Sequence, residues 1–177
     1  MKKIHETDLL VIGGGAAGLC AAAEAATAGA SVTVIESDLH PGGQLVKQTH
    51  KFFGSRDEYA GTRGYKIADI LLDEISSLGD KVKINCNSTV TGCYPEDGVY
   101  TVMEREENYY RVKAKKAVVA TGAQERMIPF PNNDLPGVYG AGAVQTLMNV
   151  YGVVPGKKVV MVGAGNIGLI VSYQLTD

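Results

Sequence analysis

Short apolar runs alternate with alanine-rich and amphipathic stretches through the first half of the chain, and the period of that alternation predicts its elements. Asp8 to Ile12 reads as a short buried strand. Ala16 to Ala28 is alanine-rich, with high helix propensity and side chains small enough to lie close to a sheet. Gly29 is a natural helix stop, and Ser31 to Ile35 is the next strand, with Glu36 at its end. These three pieces form a βαβ unit. A loop containing Pro41, Gly42 and Gly43 follows, and then Gly61 to Gly79 predicts a second helix. In it Ile67, Ile70, Leu71, Ile75 and Leu78 recur at helical spacing and would share a buried face. Val82 to Ile84 is a third strand.

From Thr89 to Ala114 the period falls to two. Thr89 to Tyr94, Val99 to Met103 and Tyr109 to Lys113 read as three short strands, separated by the turn signals Pro95-Glu96-Asp97-Gly98 and Glu107-Asn108. This is a small antiparallel meander inserted into a crossover. Ala117 to Ala120 then returns as a buried strand ending in Thr121-Gly122. Met127 to Pro136 holds three of the six prolines and reads as a connector. A helix over Gly142 to Val150 and a strand over Lys158 to Val162 complete the pattern. The division expected is 1–125, 126–156 and 157–177. The fold class is α/β: a Rossmann-like three-layer ββα domain with a parallel sheet and inserted meander, followed by the start of a second Rossmann unit.

Composition changes this picture little. The chain has 177 residues, is 45% hydrophobic and 20% charged, and carries a formal charge of −2, which offers no electrostatic grip on nucleic acid or an anionic membrane. Lys2 and Lys3 before the apolar stretch Leu9 to Ala23 imitate a signal peptide. Glu6 and Asp8 interrupt that imitation, and the stretch is too short to span a bilayer. The three cysteines, Cys20, Cys86 and Cys93, form no C-x-x-C and no metal-ligand cluster; they read as small buried hydrophobes in a reducing cytoplasm.

The chemistry lies in a motif present twice. Leu9 to Leu19 reads LLVIGGGAAGL and Val159 to Leu169 reads VVMVGAGNIGL, each an apolar run entering G-x-G-x-x-G and then a helix. Each glycine has a mechanical task. Gly13 permits the tight turn, Gly15 lets backbone approach a pyrophosphate, and Gly18 lets helix and strand pack closely. The helix starting near Ala16 offers unpaired N–H groups and a positive dipole end to phosphates. Glu36 stands where a carboxylate accepts hydrogen bonds from ribose hydroxyls. Gly163, Gly165 and Gly168 repeat the pattern. The motif itself does not distinguish FAD from NAD.

Further segments carry a resemblance. Thr121-Gly122 after AVVA, the Gly42-Gly43-Gln44 loop and the inserted meander together resemble the two-dinucleotide flavoprotein superfamily that includes thioredoxin reductase. The segments PGGQLVKQTHKFFG and LPGVYGAGAVQTLMN are similar to a branch of FAD-dependent oxidoreductases related to α-type subunits of sarcosine oxidase and dye-linked amine dehydrogenases. The resemblance implies FAD at the first site, with contacts from Gly13, Gly15, Ala16, Ala17, Gly18, Glu36, Ser37, Gly43, Gln44, Val90, Ala120, Thr121 and Gly122. It implies that Gly163, Gly165, Asn166 and Gly168 begin an NAD(P)H site, and that a partner redox subunit or second substrate exchanges electrons with the flavin.

The chain also departs from that pattern. Thioredoxin reductases carry C-x-x-C before the second fingerprint, whereas Gly140 to Gln145 reads GAGAVQ. Leu45 to Phe53 lacks the cysteine pair of glutathione-reductase-like enzymes. Disulfide exchange needs an attacking thiolate and a second sulfur, so the expected chemistry is hydride transfer without a redox disulfide. The short second unit leaves open a longer native polypeptide, or a dinucleotide-binding subunit that needs a partner chain. Lys47, His50, Lys51 and Phe52 to Gly54 follow the GGQ loop as candidates for the flavin face. The histidines read better as surface groups, Arg63 as a solvated helix residue, and Tyr109, Tyr110 and Arg111 as amphipathic strand residues. No residue stands out as a catalytic acid or base.

Overall fold

The computed structural model describes residues 4–51 and 53–176, so Lys2, Lys3 and Phe52 lie outside the described residues. Two compact units emerge, Met1–Val46 with Tyr65–Gly122, and Lys47–Gly64 with Ala123–Asp177.

In the first unit, strand β1 (Ile4–Ile12) leads through a glycine turn into helix α1 (Ala16–Thr27), then strand β2 (Val32–Ile35) and a 3-10 turn (Gly43–Lys47). Helix α2 (Gly64–Ser77), strand β3 (Val82–Asn85) and the strands β4 (Ser88–Tyr94), β5 (Val99–Glu104) and β6 (Asn108–Val119) follow. The sheet order is β3-β2-β1-β6-β5-β4, with β3, β2, β1 and β6 parallel and β5 and β4 antiparallel. This is the α/β Rossmann-like arrangement expected. Leu10 and Val11, on opposite faces of β1, are both fully buried, as a central parallel strand requires. Leu10 and Ile35 pack with Val102, Val112 and Ala114 of the meander. Val11 faces α1, whose Leu19, Ala22, Ala23 and Ala26 are buried.

Several expectations are corrected. The third meander strand and the returning strand are one element, β6. It pairs antiparallel with β5 over residues 108–113 and parallel with β1 over 111–119. No Gly or Pro interrupts Asn108–Val119, and Tyr110, Val112 and Ala114 keep pointing inward, so nothing breaks the ladder. Its last residues are not buried: Val119 is 71% exposed. Helix α2 begins at Gly64, and its inner face is Ile67, Ala68, Leu71 and Ile75; Ile70 is exposed. The cysteines are not core residues either. Cys20 and Cys93 are exposed and Cys86 is half-buried.

In the second unit, helix α3 (Ala141–Asn149) packs against helix α4 (Asn166–Gln174). The strand expected over Lys158 to Val162 does not form. A strand exists only by ladder hydrogen bonds to a neighbour, and this run has none among the described residues. Val160 and Val162 are each 89% exposed.

Candidate functional site: two glycine turns

The turn after β1 is built from contacts that only glycine tolerates. Gly13 has φ +108°, and a Cβ there would lie 2.4 Å from the Ala120 carbonyl oxygen. A Cβ on Gly18 would lie 1.9 Å from the Gly13 carbonyl oxygen, so α1 is drawn hard against the turn it leaves. The backbone of Ala120 donates to the Ile12 carbonyl at 2.8 Å, tying the Thr121-Gly122 segment to the same strand end. Thr121 and Gly122 follow directly, exposed, with Gly122 at φ +73°.

Gly15 behaves differently. It is the N-cap of α1 in extended conformation, and a Cβ there would meet nothing nearer than Gly43 Cα at 3.8 Å, an ordinary contact. The protein itself makes little demand for glycine at this position. No side chain caps the helix, and no acidic residue stands in its first turn. The first hydrogen bond to the cap runs from Leu19 N–H to the Gly15 carbonyl, leaving the N–H groups of Ala16, Ala17 and Gly18 without a backbone acceptor among the described residues. Three free donors at a positive helix end, with no Cβ at the cap, form a cradle for an anion.

The second wall is the GGQ loop. Gly42 donates to the Gly14 carbonyl at 2.7 Å and bridges Gly15. Gly43 sits so close that a Cβ would approach Gly15 Cα to 2.8 Å, while Gln44 follows, exposed, on the 3-10 turn. The third wall is Glu36, only 6% exposed at the end of β2. Its Oε2 accepts the Gly14 N–H at 2.5 Å, and its Oε1 accepts the Asp38 N–H at 2.8 Å and the Ser37 hydroxyl at 3.1 Å. The start of β4 is held here too, since Ser88 N–H donates to the Glu36 carbonyl. Val90 is placed otherwise: its side chain packs on the cluster around Leu10 and Ile35, so only its backbone is available to a ligand.

Gly14, Gly42, Asp38 and Ser88 were not among the residues anticipated. The unbroken run Gly13-Gly14-Gly15 and the PGG triplet flagged the first two, because adjacent glycines mark backbone meeting backbone. Asp38 and Ser88 act through main-chain groups and leave no signal in side-chain identity.

The second turn repeats the first. Gly163 has φ +109°, Gly165 caps α4 in extended conformation without a side-chain cap, and a Cβ on Gly168 would lie 2.8 Å from the Gly163 carbonyl oxygen. Asn166 opens α4, exposed.

The other candidates are engaged elsewhere. Lys47 Nζ–H donates to Thr146 Oγ1 at 3.2 Å and to the Gly142 carbonyl at 3.4 Å. His50 stacks on Phe53 with ring centroids 4.8 Å apart, and burial lowers its pKa. Arg63 precedes α2 and donates to the Thr49 carbonyl at 3.0 Å, so it is not a free helix residue. All three cysteines are free thiols. Partial desolvation first, then nearby carboxylates (Glu74 and Glu24 for Cys20, Glu36 and Asp38 for Cys86), push both thiols above their ordinary pKa. That is the reverse of what an attacking thiolate needs.

A family model described as pyridine nucleotide-disulphide oxidoreductase matches residues 7–177. The chain belongs to this family of FAD/NAD(P)-binding oxidoreductases. It is 33% identical over 181 residues to the alpha chain of sarcosine oxidase from Rhizobium meliloti (strain 1021), covering 95% of this chain and 17% of that one. To an opine oxidase subunit of Agrobacterium tumefaciens (strain Ach5) it is 32% identical over 173 residues, covering 96% of this chain and 34% of that one. Among solved structures, L-proline dehydrogenase from P. horikoshii superposes with a TM-score of 0.84 at 27% identity, covering 99% of this chain and 35% of that one. The chain thus spans between about one sixth and one third of the length of these relatives. No helix among the described residues is long and apolar enough to cross a membrane.

Proposed function

We propose that this chain is the dinucleotide-holding part of an FAD-dependent oxidoreductase that exchanges hydride with NAD(P)H and passes electrons to a substrate or partner subunit, without a redox disulfide. The observation that carries the reading is the cradle at Gly15. Its Cβ-free cap, the three unpaired N–H groups of Ala16, Ala17 and Gly18, and Glu36 at the end of the adjacent strand together suit a pyrophosphate and a ribose. Gly43 and Gln44, with Ala120, Thr121 and Gly122, flank that cradle; Ser37 steadies Glu36, and the main chain at Val90 is the remaining FAD contact. Gly163, Gly165, Asn166 and Gly168 hold the pyrophosphate of NAD(P)H. Bound FAD supplies the hydride chemistry, while the chain supplies position and fixed dipoles. Residues 1–125 serve as the flavin portion, 126–156 as connector and 157–177 as the opening of the nicotinamide portion. Three unpaired cysteines suit a reducing cytoplasm. The names of the two oxidase relatives, each one chain of a larger enzyme, support a partner chain.

The test is spectroscopic. Protein reconstituted with FAD should be yellow, and NAD(P)H should bleach it under anaerobic conditions. A colourless preparation that FAD cannot reconstitute overturns the proposal. A second reading, a dinucleotide-binding subunit without its own nicotinamide reaction, is favoured by the unpaired run at Lys158 to Val162. It predicts FAD binding with no bleaching until a partner chain is added.

A further inference from the structure

Three consecutive residues, Lys47, Gln48 and Thr49, leave the 3-10 turn of the GGQ loop and are held on both sides by the second unit's helices. Asn149 Nδ2–H donates to the Lys47 carbonyl at 2.7 Å, and the Lys47 ammonium reaches Thr146 and the Gly142 carbonyl on the same helix, α3. On the other side, the Gln174 amide of α4 donates to Thr49 Oγ1. Gln174 Oε1 in turn accepts Nε2–H of Gln145 at 3.3 Å, and Gln145 is only 3% exposed. Between these anchored neighbours, Gln48 Oε1 is buried and has no hydrogen-bond partner among the described residues.

A buried acceptor without a donor is a standing cost, because water is lost and nothing replaces it. The closed arrangement therefore combines strong ties at Lys47 and Thr49 with a built-in penalty at Gln48. We propose that Lys47–Thr49 is a reversible latch on the helix of the second glycine turn, closed by Gln174 and kept near its opening point by the unpaired Gln48. Gln174 is a positioning residue: it touches no cofactor-binding glycine, yet it joins α4 to the segment that follows the GGQ loop. A shift of α4 reaches Thr49 through this side chain.

The latch goes beyond the identity of the cofactors and is testable without any, by hydrogen exchange of the full chain read on the amides of residues 47–51. Gln174→Leu should speed exchange there by roughly three- to tenfold, the effect of one lost hydrogen bond. Thr49→Val should open the latch, and Thr49→Ser, which keeps the acceptor, should leave it closed. Gln48→Leu removes the orphaned acceptor and should slow exchange, the opposite sign. Faster exchange in Gln48→Leu, unchanged exchange in Gln174→Leu, or equal acceleration in α1 each overturns the latch.

Discussion

The two glycine turns have nearly the same backbone and very different surroundings. Gly13 and Gly163 differ by one degree in φ, at +108° and +109°, and both fingerprints cap their helices with an extended glycine and press the last glycine onto the first. Around Gly13 the chain supplies two parallel strands, the Ala120 carbonyl, the GGQ loop and Glu36. Around Gly163 a Cβ would meet nothing within 4 Å, and the run before it is not a strand. The lesson is that the turn is local, written by glycine spacing, whereas the sheet beneath it needs partners from elsewhere.

Paired substitutions sharpen that contrast. The largest effect is expected from alanine at the first glycine of each turn. Gly13→Ala adds a backbone clash to left-handed strain and should cost about 3 kcal/mol or more, while Gly163→Ala adds strain alone, about 1–2 kcal/mol. Denaturant melts with hydrogen exchange read separately on α1 and α4 would measure both, and equal costs would break the comparison. Next comes the cradle. Gly15→Val puts a side chain into the proposed phosphate space, where its Cβ meets nothing nearer than Gly43 Cα at 3.8 Å, so FAD affinity should fall by about a hundredfold or more. Retained affinity would place the ligand elsewhere. The corresponding Gly165→Val should spare FAD and weaken only NAD(P)H.

Glu36→Gln is expected to be milder. One amide oxygen still accepts a hydrogen bond, but the NH2 group then faces either the Gly14 or the Asp38 N–H. FAD affinity should drop by about tenfold, readable by flavin fluorescence titration. The smallest effect concerns the middle of β1. Lys115 beside Asp8, together with the Ser31 main chain and hydroxyl, holds the Asp8 carboxyl well below the usual carboxylate range. A depressed carboxyl stabilises the fold above its ordinary pKa and loses that contribution as pH falls through the lowered value. Asp8→Asn should therefore be slightly less stable than the parent at neutral pH, and the gap should close in acid. The pair is solvent-exposed, so added salt should also shrink it.

Much of this architecture is legible in the residue pattern. The apolar runs of β1 and β2, the alanines of α1 and the period-two meander predict their elements to within a few residues, because local propensity and tertiary packing agree there. The misreadings share one cause. Ala114 to Lys116 looks like a break between two strands, but β1 pairs with β6 on both sides of it and carries the strand straight through. Ile70 fits the helical period, yet Ala68, which lies beside Gly42, is the buried residue instead. Cysteine is usually buried, but Cys20 sits on the outer side of α1 and Cys93 on the exposed rim of β4. That Gly13, Gly15, Gly18 and Glu36 meet at one turn was readable, since glycine spacing sets that turn. Asp38 and Ser88 were not, because main-chain donors look the same on every residue.

Glycine spacing, alanine content and hydrophobic period were enough to set the two turns, their helices and the α/β character of the first unit, since each depends on contacts within a few residues. Partnership belongs to the tertiary structure. It decided that β6 is a single strand, that Lys47–Thr49 is tied to α3 and α4, and that, among the described residues, only the first glycine turn rests on a sheet. Hydrogen bonds between distant segments make those choices, and no local run of residues carries the identity of its partner.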